Sequence, residues 1–197
     1  MSRYVMDHTA KLGAHCQIGY HVIIHSDVVI GDQVSIADTA IVLAKTKIGA
    51  RCHIGPSCVL GKPPFTATPA LPPLQLDHDV MIGAGVILHA GSHIEEGVWI
   101  DDLSVVGDSV TIGAHTRIGR AVTIEGKTSI GQRVTIQSGA HLSEGITLAD
   151  DVQIGANATL FPGIRVGTKA HIGTGAVVMH DVDAGKIMVA LPAQIKR

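Results

Sequence analysis

Histidine is the residue type in this chain best suited to moving protons, and the 197 residues include twelve of them. His78 has the sharpest setting, within Leu76-Asp77-His78-Asp79-Val80-Met81-Ile82-Gly83. An imidazole titrating at about 6.5 takes a proton from a nucleophile at neutral pH, and an adjacent carboxylate such as Asp79 can orient the ring. His141, closing Ile136-Gln137-Ser138-Gly139-Ala140-His141, is the reserve candidate for a base. The three cysteines, an odd number without paired spacing, read as reduced thiols in a cytoplasmic protein.

Composition narrows the partners. Formal net charge is −2 and Lys and Arg are scattered singly, which excludes nucleic acid and an anionic membrane as expected partners. No segment approaches the roughly 18 apolar residues of a membrane span. Met1 to Gly13 has no apolar run flanked by a cleavage site, so no signal peptide is expected. Hydrophobic residues make up 46% but aromatics only 3%, so Ile, Val, Leu and Ala must fill a narrow core.

What positions these side chains is a repeat of six. An aliphatic residue returns at every sixth position from Leu76 through Ile82, Leu88, Ile94 and Ile100 to Val178, and a shifted series runs from Met6 to Leu60. Six fits neither the period of a helix nor that of a free strand, so the repeat is architectural. With the aliphatic residue as the first position, the second is often glycine, as at Gly19, Gly31, Gly83, Gly113 and Gly131. That predicts a corner with dihedrals a side chain would obstruct. The fifth is small or aliphatic and, like the first, points inward. This register buries Cys16, Cys52 and Cys58 at the fifth position, with Cys16 and Cys52 two coils and about 10 Å apart, too far for a disulfide. No histidine falls at the first or fifth position, so all twelve belong to corners or the outer surface. Trp99 and Val177 take the outward sixth position, where Trp99 reads as part of a subunit interface.

The rhythm breaks once. Leu60 and Leu76 are sixteen residues apart, and Gly61 to Pro73 holds five prolines in thirteen residues. Proline cannot donate to a strand ladder, so a loop over 61–75 leaves the repeat and inserts ten residues. A loop of that length usually serves function.

Two inward positions per six residues describe short strands that turn and continue, three to a triangular coil of 18 residues. The pattern [Leu/Ile/Val]-[Gly/Ala/Glu/Asp]-x-x-[small]-x resembles the hexapeptide-repeat, left-handed parallel β-helix proteins. The resemblance implies one all-β domain over 1–197, with first coils at 6–60, the proline-rich loop at 61–75, main coils at 76–183 and a C-terminal cap at 184–197. About nine coils at ~4.8 Å make a prism roughly 45 Å long. Left-handedness is implied by the family alone, because parallel crossovers are otherwise right-handed. Met179 to Ala193 resembles the closing segment of hexapeptide acyltransferases, which covers the open end of the solenoid.

The residues around His78 resemble the Ile-x-His-Asp-x-x-Ile-Gly motif that carries the catalytic histidine of several hexapeptide acyltransferases. The resemblance implies acyl transfer from acetyl-CoA or another acyl-CoA to an amine or hydroxyl of a sugar, nucleotide sugar or small metabolite. The acceptor would attack the thioester directly, with His78 as base, Asp79 orienting it, and a backbone amide holding the oxyanion. No metal is expected. Family members are homotrimers that bind coenzyme A in a groove between subunits near the C-terminal coils. That implies Gly173 and Gly175 for the pantetheine arm and Lys186, Lys196 and Arg197 for the phosphates. Two other readings stay open. Leu88-His89-Ala90 resembles a ligand site of γ-type carbonic anhydrases, although His93 follows His89 by four residues where five is required. The chain could also be a non-catalytic β-helix kept for assembly.

Overall fold

The six-residue rhythm resolves into two-residue strands formed by the sixth and first positions of each repeat, joined by turns. In this computed structural model residues 4–64 and 71–191 are described. Each strand pairs in parallel with the strand 18 residues further on, as Val5 with Ile23 and Met6 with Ile24. Among the described residues three parallel sheets of ten, nine and ten strands result. They form a left-handed β-helix of about ten turns, and among the described residues there is no α-helix. The count exceeds the expected nine because Ile187–Met188 pairs with His171–Ile172 and extends the third sheet past the last repeat. Among the described residues no helix is long and apolar enough to cross a membrane.

Parallel pairing in constant register stacks like residues on like. Ile82, Ile100, Ile118, Ile136, Ile154 and Ile172 form one interior column of the third sheet, all fully buried. Burying each such side chain contributes about 1.5–3 kcal/mol. The fifth position supplies the rest of the core, and its polar members are matched. Ser92, Ser104 and Thr116 donate to the carbonyls of Gly107, Gly119 and Gly131 at 2.8, 2.9 and 2.9 Å. Their oxygens accept from the amides of Val110, Val122 and Val134 at 3.0, 3.1 and 3.1 Å. The Cys52 and Cys58 thiols donate in the same way to Asp77 and Gly83 at 3.0 Å. Both cysteines are buried as the register requires, whereas Cys16, near the first coil, is half-buried.

The corners correct one expectation. Left-handed backbone falls at the fourth position, for example His15, His21, Asp27 and Gln33 with φ of 57, 57, 57 and 58°. The second-position glycines answer a different need. A Cβ on Gly113 would stand 2.5 Å from the carbonyl carbon of Gly131 and 2.7 Å from the amide of Gln132. Close approach of successive coils, not a special dihedral, is what requires glycine there.

The proline loop leaves where the rhythm breaks. Val59–Lys62 is a four-residue strand with a register shift between Leu60 and Lys62, and the next strand is Gln75–Leu76. Leu60 pairs with Leu88, so this coil has ten residues more than its neighbours. Both limbs of the loop rest on the following coil. Ala90 donates to the Lys62 carbonyl at 2.9 Å and Gly91 to that of Pro72 at 2.7 Å. Thr46 Oγ1, a buried hydroxyl without a partner among the described residues, lies against Gly61 where the chain departs.

Candidate active site on one edge of the prism

His78 sits at the turn between the second and third sheets, and the coil period decides what stands beside it. The amide of Asp79 donates to Ala50 at 3.0 Å, that of Gly97 to His78 at 3.2 Å, and that of His115 to Glu96 at 3.0 Å. Arg51, Asp79, Gly97 and His115 therefore run up one edge, one per coil, with His78 and Glu96 alongside.

The side chains along this edge form a connected chain of contacts. Arg51 grips Asp79 with two bonds, Nε to Oδ1 at 2.7 Å and a terminal nitrogen to Oδ2 at 2.6 Å. His78 Nδ1 is 2.9 Å from Asp79 Oδ2, and its Nε2 is 2.8 Å from Glu96 Oε2. The other Glu96 oxygen lies 4.0 Å from His115 Nε2. The hydrogen bonds from Arg51, then the one from His78, hold the Asp79 carboxyl down at about 2. It is therefore ionised at neutral pH and keeps a proton on Nδ1, which leaves Nε2 to exchange protons.

Beside this row, His93 Nε2 and Gln75 Nε2 meet Asp77 Oδ1 at 3.0 and 3.1 Å. Partial burial raises the Asp77 pKa, but the hydrogen bonds from His93 and Gln75 outweigh it and leave the group below its ordinary value. An open groove of about 680 Å³ runs along these residues, lined by Lys47, Gly49, Arg51, Gln75, Asp77 and His78. About half of the His78 side chain is exposed, so a solute in the groove can reach it.

The other expected site residues fall elsewhere. His141 is on the outer face of the first sheet, paired with Thr123 and Thr159 and 3.5 Å from Glu125. In a three-sided prism that face lies opposite the His78 edge, so within one chain His141 does not share the site. The amides proposed for the pantetheine arm are already taken, Gly173 donating to Met188 at 2.7 Å and Gly175 to Ala156 at 2.8 Å. Those two N–H groups are not available to a ligand. Lys186 is exposed and follows Gly185, whose amide donates to Thr168 on the His78 edge. Six coils separate His78 from it, about 29 Å at the strand spacing. Lys196 and Arg197 lie outside the described residues. His93 is engaged with Asp77 and Gln75, and among the described residues no group of three His, Cys, Asp or Glu side chains could hold a metal ion.

Sequence reasoning missed Arg51, Glu96 and His115. Nothing in their local sequence marks them. Their signal is arithmetic, since Glu96 is 18 residues after His78 and Asp79 is 28 after Arg51, one coil plus the insertion.

A solenoid of three parallel sheets built from six-residue repeats defines a class, and comparisons with known proteins place the chain within it. A family model described as "Bacterial transferase hexapeptide (six repeats)" matches residues 27–62 and 91–126. A second, "Hexapeptide repeat of succinyl-transferase", matches 145–179, and the two together cover about half of the chain. The chain belongs to the hexapeptide-repeat family of left-handed β-helix transferases. No curated protein sequence matches it. Among solved structures, the UDP-N-acetylglucosamine acyltransferase of Arabidopsis aligns with a TM-score of 0.83 at 18% identity, over 91% of this chain and 67% of the other. LpxA from Bacteroides fragilis, also a UDP-N-acetylglucosamine acyltransferase, gives 0.66 at 21% identity, over 92% and 68%. LpxA from Acinetobacter baumannii gives 0.66 at 18%, over 93% and 68%. At these identities the likeness is one of fold.

Proposed function

We propose that the protein is an acyltransferase that moves an acyl group from an acyl-CoA thioester, acetyl-CoA first among them, to an amine or hydroxyl of a sugar, nucleotide sugar or small metabolite. The observation that carries the reading is the relay Arg51–Asp79–His78 on the rim of an open groove. A carboxylate locked by a bidentate arginine orients an imidazole that is about half exposed beside the groove, and its second nitrogen, in contact with Glu96, is the one left to exchange protons. The acceptor attacks the thioester carbonyl, His78 takes the proton, and the thiol leaves. The resemblance of the solenoid to UDP-sugar acyltransferases supports a sugar-linked acceptor. Lys186, on the same edge, is the cation assigned to the donor's phosphates.

The working form is a homotrimer. A closed ring joins two different patches of each subunit, and the molecule offers two. Met81 and Trp99 are exposed on the third sheet, with Arg117 packed over the indole at 5.5 Å from its centroid. On the first sheet Ile23, Ile41, Val59, Ile87 and Val105 form an outward aliphatic row. The free thiols suit a cytoplasmic setting.

The test is thiol release from acetyl-CoA and longer acyl-CoAs in the presence of amino and neutral sugars, free and UDP-linked. His78→Ala should lower kcat by about 10²–10⁴ with the fold intact. Full activity in that variant would remove His78 from the mechanism.

A further inference from the structure

The proline-rich insertion is a part of the chain on which acyl transfer at His78 does not draw. Its limbs are held in place by the next coil, Ala90 donating to the Lys62 carbonyl at 2.9 Å and Gly91 to that of Pro72 at 2.7 Å. At their foot lies a hollow of about 450 Å³, a volume in the range of small-molecule sites. Pro63 and Pro64 wall it on the outgoing limb, Leu71, Pro72 and Pro73 on the returning one, and Leu43 from the preceding coil. Proline has no N–H, and none of these six side chains carries a polar atom, so the walls offer apolar contact alone.

The polar side chains of the lining are Lys45 and His25, both hydrogen-bond donors, and no carboxylate is among them. Among the described residues Lys45 has no ion-pair partner, although Asp27 stands one coil below it in the same row. The surroundings are positive as well. Lys62 pairs with His89 in the strand register, and burial first, then the Lys62 charge, lower the His89 pKa, with Asp108 acting the other way. Gly61 completes the lining. In other coils the buried fifth-position hydroxyl donates to the carbonyl 15 residues on, as Ser92 does to Gly107. The residue in that place for Thr46 is Gly61, where φ is 81°, and the Thr46 hydroxyl has no partner among the described residues. A side chain at Gly61 would collide with that oxygen, so the lining stays bare there at a cost in hydrogen bonding.

We propose that this hollow binds an amphiphilic organic anion, with an apolar body the size of a ring or a short chain and a carboxylate or phosphate head. The body displaces water from the prolines and leucines, and the head accepts from Lys45 Nζ and a His25 ring N–H. Apolar burial gives affinity without direction, and the cation decides which head is admitted. An ammonium on the same body meets a like charge, and a neutral head loses the charge-assisted bond. The hollow is separate from the His78 edge. Lys45 and Arg51 lie at opposite ends of the strand Lys47–Ile48, at two corners of the second sheet. The proposal therefore stands whether or not the acyl-transfer reading does.

Isothermal titration of the intact protein with octanoate, octyl phosphate, octyl glucoside and octylammonium tests it. The anions should bind, and the neutral and cationic probes should bind at least about tenfold more weakly, the worth of one charge-assisted hydrogen bond. Whichever anion binds more tightly identifies the head. Lys45→Glu should remove the preference for anions. Ala44→Trp, at an exposed position of the lining, should block octanoate. Both variants should melt with the parent, since both positions are exposed. Equal affinity for octanoate and octylammonium, octanoate binding unmoved in Lys45→Glu or in Ala44→Trp, or no binding of any probe would overturn the proposal.

Discussion

Arg51 governs His78 without touching it. Its guanidinium fixes both oxygens of Asp79, and Asp79 in turn fixes the imidazole. Arg51→Gln should therefore lower kcat on the order of 10- to 100-fold, since misplacing a catalytic group by a fraction of its reach has that effect. Stability should barely move, because both partners are about half exposed and solvent screens the pair. Initial rates beside thermal melts check both halves; an unchanged kcat would dismiss the relay. The pair also carries a pH signature. Asp79 is lowered from 3.8 to about 2, so its small stabilising effect is complete above 3.8 and is lost as pH falls through 2. The thiols give a second prediction. Burial pushes Cys52 up to about 11 and Cys58 also upward, which keeps both as unreactive thiols at pH 8. Iodoacetamide followed by mass spectrometry should mark Cys16 first and reach the other two only after unfolding.

The unit at the scale of elements is one coil resting on the next, and two contacts set the spacing between them. The first is the bare second position. Gly113→Ala would drive a Cβ into the backbone of Gly131 and Gln132, costing about 1–3 kcal/mol in displaced coils. The second is the buried hydroxyl that ties a fifth position to the coil above. Ser104→Ala would leave the Gly119 carbonyl and the Val122 amide without their partner, also costing about 1–3 kcal/mol. Urea midpoints measure both. A Gly113→Ala protein as stable as the parent would mean that the coils separate easily at that corner.

Across the whole molecule, each coil touches only its neighbours, so the sides of the prism are left for assembly. Ile87 projects outward from the aliphatic row of the first sheet, outside the core. Ile87→Glu should convert a species of three times the 20.5 kDa chain mass into monomers while the β-type circular dichroism persists. Sedimentation equilibrium decides it; an unchanged mass would assign the ring contact to other faces. The length of the prism also bears on the donor. With His78 and Lys186 about 29 Å apart on one edge, an acyl-CoA that meets both within one protomer must lie extended. Lys186→Ala should then raise KM for acyl-CoA and leave the acceptor KM alone.

The sequence by itself determined the solenoid, because a strict period of six leaves each side chain one choice between inside and outside. That choice correctly buried Ile100 and Cys52, kept every histidine out of the core and placed the insertion after Leu60. It also singled out His78 and Asp79, whose pairing is local. Only the tertiary structure decided what surrounds them. Arg51 and Glu96 reach His78 and Asp79 through stacking, from one coil away on either side, and a ten-residue loop disguises the spacing of one of them. The same stacking sent His141 to the opposite face and engaged the amides of Gly173 and Gly175. A repeat specifies which way each residue points. Which residues meet depends on how the coils are laid on one another.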